Sequence, residues 1–98
     1  MVLTNGVFIQ VNIIDDKEML RIGKEYKGKD YATDVLTFNY SLDKDYKKGD
    51  LYGEIYVNID AAKRQANELN HTIEEEVAFL VSHAMLHMQG IHHEGDGI

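Results

Sequence analysis

Three of the five histidines in this 98-residue chain fall into one pattern, His83, His87 and His93, written H-x3-H-x2-G-x2-H with Gly90 before the last. Histidines at i and i+4 lie one above the other on a helical face, so both rings can reach a single ion. Gly90 supplies the left-handed conformation that ends a helix and turns the chain. The turn can return His93 as a third ligand; His92 competes for that position, and the spacing after the glycine favours His93. Three neutral imidazoles with an open fourth position describe a catalytic zinc site, one ion per chain, rather than a closed structural one. Nickel, copper or iron suit the same donors. A lone histidine, or a single i, i+4 pair, is weak evidence; three at this spacing with a turn glycine are far stronger. In H-E-x-x-H metalloproteases the residue after the first histidine is a glutamate base. Here it is Ala84. The implied chemistry is metal-dependent hydrolysis without that base.

The elements that must position these rings can be read in order. Val7, Ile9, Val11 and Ile13 alternate with Phe8, Gln10 and Asn12, which predicts a strand over Val7–Ile14 with one apolar face. Asp15 and Asp16 offer a cap and first-turn acid for a short helix to about Tyr26, with Met19, Leu20 and Ile22 facing the sheet. A polar turn over residues 27–30 leads to a second strand over residues 35–40. Residues 41–50 form a charged, solvated loop. Residues 51–59 alternate again and make the clearest strand. Asp60 is placed to cap a helix over residues 61–69, which Asn70 and His71 break. The last helix, residues 72–89, opens on Thr72-Ile-Glu-Glu75, a capping box. Val77, Phe79, Leu80, Val81, Ala84, Met85 and Met88 give it an apolar surface too wide for one stripe, so it should be the buried helix. The order β-α-β-β-α-α predicts an α+β fold, a small mixed sheet packed with helices.

Composition narrows the class. One domain over residues 1–98 is expected. Hydrophobic residues make up 44% and charged residues 28%, ordinary globular usage. A net charge of −7, from 17 acidic and 10 basic residues, opposes general attraction to phosphate backbones, so nucleic acid must be met by a local basic patch or a metal. Without cysteine there is no disulfide and no thiolate ligand. Neither a signal peptide nor a membrane-length apolar run is visible, which makes the cytoplasm the expected compartment and excludes a membrane partner.

With these segments in place, the run from His83 to His93 resembles the H-G-x-L-H-L-x-G-Y-D-H motif of the YbeY family of bacterial endoribonucleases and ribosomal RNA maturation factors. Three other stretches agree in order. Tyr26-Lys-Gly-Lys-Asp-Tyr-Ala-Thr33-Asp34-Val35-Leu36-Thr37-Phe38 is similar to the family's Y-R-x-x-D-x-x-T-D-V-L-S-F. Gly53-Glu-Ile-Tyr-Val-Asn-Ile is similar to its G-D-I-x-I-S strand, and Glu74-Glu-Glu-Val-Ala-Phe-Leu to the run before its histidines. The match spans about residues 7 to 95. It implies zinc on His83, His87 and His93. It also implies a metalloprotease-like (zincin-like) α+β fold, with a cleft between the histidine helix and the T-D-V-L strand. Its implied role is endonucleolytic cleavage of RNA in ribosomal RNA maturation and small-subunit quality control in the cytoplasm.

The departures are Lys27 for arginine, Asn39 for proline, Ala84 for glycine and His92 for aspartate. Lysine is a point charge where arginine is a bidentate fork, so phosphate would be held differently. The aspartate's loss removes a partner that could orient the ligands. The strand and helix that usually precede Val7, and the helix that usually follows residue 98, are not evident; self-association would close any apolar surface this uncovers.

Metal-assisted hydrolysis of RNA phosphodiesters is therefore the leading expectation, with His83 and Lys27 as the catalytic residues and Lys27 and Thr37 as substrate contacts. Lys24 and Lys29 flank Lys27. Glu54 and Glu94 are weakly placed candidates for a general base, and Thr33 and Asp34 read more naturally as turn residues. The expected partners are precursor ribosomal RNA and the small ribosomal subunit or its proteins. Three rival readings stand beside it: a zinc-binding assembly factor without cleavage activity, a zinc hydrolase of another ester or amide, and a degenerate, shortened homologue with the site intact and activity lost.

Overall fold

The computed structural model describes residues 2–4 and 7–88. Its sheet has four strands, β1 (Val2–Thr4), β2 (Val7–Ile14), β3 (Val35–Asn39) and β4 (Leu51–Asn58), in the spatial order β1-β2-β4-β3. The central pair β2 and β4 runs parallel, while β1 and β3 lie antiparallel at the two edges. The mixed α+β sheet is thus as expected, with one addition. β1 precedes the strand read as the first, and its three residues are too few to show a period.

The helices are α1 (Asp16–Lys27), α2 (Ile59–Leu69) and α3 (Ile73–Met88). Strand alternation sends successive side chains to opposite faces, and two cores follow from it. On one face α1 buries Met19 and Ile22 against Leu36, with Phe38 and Tyr56 packed at the margin. On the other, α2 and α3 bring Ala62, Leu80, Ala84 and Met88 onto Ile9, Val35, Ile55 and Val57. Each large apolar side chain taken fully out of water contributes roughly 1.5–3 kcal/mol.

Local chemistry explains the boundaries. Asp15 caps α1 by accepting from the Glu18 N–H at 2.9 Å, and Gly28 ends it in the left-handed region at φ 64°. The strand expected through Tyr40 stops at Asn39, because Tyr40 opens a single 3-10 turn, Tyr40–Leu42. The cap of α2 is Asn58, not Asp60: the Asn58 Oδ1 accepts from the Asp60 and Ala61 N–H groups. Asp60 instead accepts from the backbone N–H of Asp16 at 3.0 Å, joining the starts of α1 and α2. Asn70 ends α2 in the left-handed region, φ 57°. The capping box is formed as read, with the Glu75 N–H donating to the Thr72 hydroxyl and the Thr72 N–H to the Glu75 carboxylate.

Two packing expectations need correction. α3 is not buried all round: its core face is Glu76, Leu80, Ala84, His87 and Met88, while Phe79 is 60% exposed. Apolar side chains on several faces of a helix need not all find cover, since soluble surfaces carry much apolar area. Ile13, on the apolar side of β2, is 51% exposed because it lies at the margin of α2 and α3.

Candidate metal centre

The last two turns of α3 carry His83 and His87. Ala84 and Met88 seat this part of the helix on the sheet, and His87, on that side, is 5% exposed. His83 is half-buried, its ring stacked on Phe79 one turn earlier, with centroids 6.1 Å apart and planes 13° from parallel. The two histidine rings are 4.8 Å apart, with Nε2 facing Nε2 at 3.3 Å.

That separation decides what the pair can hold. Zinc–imidazole bonds of about 2.0–2.1 Å at the tetrahedral angle put neighbouring nitrogens about 3.3–3.4 Å apart. The Nε2 atoms therefore stand at the edge length of a zinc tetrahedron. The same distance suits one ring N–H donating to the other ring's nitrogen, which can keep the rings converged before an ion arrives. The donor set fits a borderline metal, and the i, i+4 spacing alone brings the two nitrogens together. Among the described residues no cluster of three or more metal-ligating side chains forms. The expected third ligand His93, its competitor His92, the turn glycine Gly90 and the candidate base Glu94 lie outside the described residues. Ala84 is fully buried against the sheet, so a carboxylate at that position would enter the core.

The other candidates are divided by the sheet. Thr37 lies on edge strand β3 between Val35 and Asn39, half-buried and on the face that α3 covers. Lys27 belongs to the opposite face: its Nζ sits 4.8 Å from the ring centroid of Phe38, in the α1 cluster. Burial, then the neighbouring charge of Lys29, pulls its ammonium below the ordinary lysine value. Lys29 rests over Tyr31 and Lys24 is exposed. The structure brings His83 and His87 together, places Thr37 on their side, and sets Lys27 across the sheet.

Glu54 is likewise on the α1 face. Its carboxylate accepts from Tyr40 at 2.7 Å, Asn12 at 3.0 Å and Tyr56 at 3.2 Å, so its oxygens are committed within the sheet. Burial, then the bond to Glu54, pushes the Tyr40 hydroxyl up to about 12 and keeps it a donor. Thr33 donates to the Val35 carbonyl and Asp34 accepts from Gln65, which makes both parts of the turn into β3. Residue types alone did not reveal Asn39 and Gly53, which hold the end of α3.

Comparison with known proteins adds an independent line. A family model described as Endoribonuclease YbeY matches residues 1–97. A protein of Malacoplasma penetrans named Endoribonuclease YbeY is 40% identical over 92 residues, 94% of this chain and 61% of its own. Its namesake from Aquifex aeolicus is 39% identical over 93 residues, 95% of this chain and 61% of its own. The solution structure of TM1509 from Thermotoga maritima superposes with a TM-score of 0.61 at 34% identity, over 92% of this chain and 56% of that one. The chain thus spans about three fifths of the length of the curated relatives it matches.

Proposed function

The chain belongs to the YbeY family, and from that membership and the histidine geometry we propose that it is a zinc-dependent endoribonuclease. The observation that carries the reading is the convergence of the His83 and His87 Nε2 atoms at 3.3 Å on one face of α3. His83 and His87 are the two ligands on the helix, and His93, six residues beyond His87 and after Gly90, is the third. Zinc when bound supplies Lewis acidity and a hydroxide source near neutral pH, since its water has a pKa of about 7.

The chain's own groups orient the substrate. Thr37 offers a hydroxyl on the α3 side of the edge strand, where the scissile phosphate would be held. Lys27 meets a phosphate further along, and a strand of RNA touching both groups crosses the edge formed by β3. Lys27 neutralises charge there without the bidentate geometry of arginine. Precursor ribosomal RNA in the cytoplasm and the small ribosomal subunit are the proposed setting. Among the described residues no helix is long and apolar enough to cross a membrane.

The test uses single-stranded RNA oligonucleotides with the zinc-loaded chain, its His83→Ala variant and a chelated sample. Internal cleavage by the loaded wild type alone supports the proposal. RNA binding that needs the metal but yields no cleavage would favour an assembly factor instead. Cleavage that survives both chelation and His83→Ala would remove the metal from the account.

A further inference from the structure

One rung of the sheet grips the end of the histidine helix. Asn39 and Gly53 are direct partners across the β3–β4 ladder, and both meet Met88, the last residue of α3. The Asn39 Nδ2 donates to the Met88 carbonyl oxygen at 3.1 Å. Its Oδ1 accepts from the Ser41 N–H at 2.9 Å and from the Ser41 hydroxyl, so the following turn fixes which way the amide points. At Gly53 a Cβ would stand 2.8 Å from the Met88 Cε and 2.5 Å from the Phe38 carbonyl oxygen. The missing side chain is what lets Met88 seat on β4, where it is 6% exposed.

The last carbonyls of a helix have no partner within it, and the final turn frays unless something captures them. Here the captor comes from a strand 49 residues earlier. His87 immediately precedes the captured residue, whereas His83 lies a full turn deeper in the helix. Loss of the grip would therefore loosen one half of the chelate and leave the other in place.

We infer that the Asn39–Gly53 rung is the positioning device of the metal centre. It fixes the height and rotation of the last turn of α3, and with them the His87 ring. The inference rests on reading His83 and His87 as metal ligands. Asn39 acts through the backbone of Met88 and is a positioning residue.

The experiment compares wild type with Asn39→Asp, which keeps the acceptor for Ser41 and loses the donor to Met88, and with Asn39→Ala, which loses both. Three quantities are read: zinc affinity by chelator competition, the cobalt(II) absorption bands that report coordination geometry, and the urea midpoint. Both variants are expected to bind zinc about 10–100-fold more weakly, as for loss of a ligand-orienting contact, and to shift the cobalt bands. A lower urea midpoint with unchanged zinc affinity and cobalt bands would overturn the inference, leaving Asn39 a plain helix cap. Ser41→Ala, which removes one of the two donors that hold the Asn39 Oδ1 and keeps the Ser41 N–H, is expected to move the same readings the same way by a smaller amount, and carries the test if an Asn39 variant does not fold. If His87→Ala binds zinc as wild type does, the ligand assignment fails and this inference with it. That failure is distinct from one in which only the Asn39 variants behave like wild type.

Discussion

The ammonium of Lys27 lies 4.8 Å from the centroid of the Phe38 ring, on the face of the sheet opposite the one that α3 packs against. A phosphate contact at Lys27 is therefore separable from the metal. Lys27→Ala is expected to weaken RNA binding roughly two- to fivefold and to lower the salt dependence of binding by about one counterion. Zinc content should not change. Titrations at several salt concentrations check this, and an unaltered salt slope would exclude Lys27 from the RNA path.

Asn58 is fully buried and uses every polar atom of its side chain. Its Oδ1 caps α2, while its Nδ2 donates to Asp16 at 2.6 Å and to the Thr33 carbonyl at 3.2 Å. Asn58→Ala removes a cap and takes the amide donor from the buried Thr33 carbonyl and from Asp16, at a cost of roughly 2–4 kcal/mol. Asp60→Ala, at the position that the sequence suggested as the cap, should cost less. Urea unfolding of both variants gives the order directly.

Asp16 ties α1 to α2. Two hydrogen bonds from Arg64, and then the Asn58 amide, hold its carboxyl at about 2, below the ordinary 3.8. A carboxyl depressed on folding adds stability that is present above 3.8 and is lost as the pH falls toward 2. The urea midpoint of wild type should thus fall between pH 4 and pH 2, and Asp16→Asn should flatten that part of the curve. The side chain is well exposed, so the effect is modest and shrinks with added salt. Equal acid limbs in the two proteins would refute the assignment.

Thr72 and Glu75 exchange hydrogen bonds at the start of the histidine helix. Thr72→Ala should lower stability by about 1 kcal/mol. Because the lesion lies at the far end of α3 from His87, zinc affinity measured on the folded protein should stay at the wild-type value. A matching loss of affinity would show that the whole helix, rather than its last turn, sets the chelate.

Local signals carried most of the fold. Alternation marked β2 and β4, the Thr72–Glu75 box marked the start of α3, and i, i+4 spacing brought His83 and His87 together. What escaped was set by distant contacts. Asn39 caps a helix 49 residues away, a relation no window of sequence contains. Glu76, the last of three successive glutamates, is 1% exposed on the core face of α3, with one oxygen 3.2 Å from the His71 ring, a burial that its residue type does not announce. Lys27 and Thr37 are both expected as substrate contacts, and strand alternation assigns Phe38, on which Lys27 rests, and Thr37 to opposite faces.

Metal content is the most direct measurement of the central claim. Tag-free protein would be loaded with zinc, desalted and analysed for metal per chain, wild type beside His87→Ala. The account predicts about one zinc per wild-type chain, as a three-histidine site requires, and none retained by the variant. A wild-type chain that keeps no zinc, or a variant that keeps as much as wild type, would contradict it.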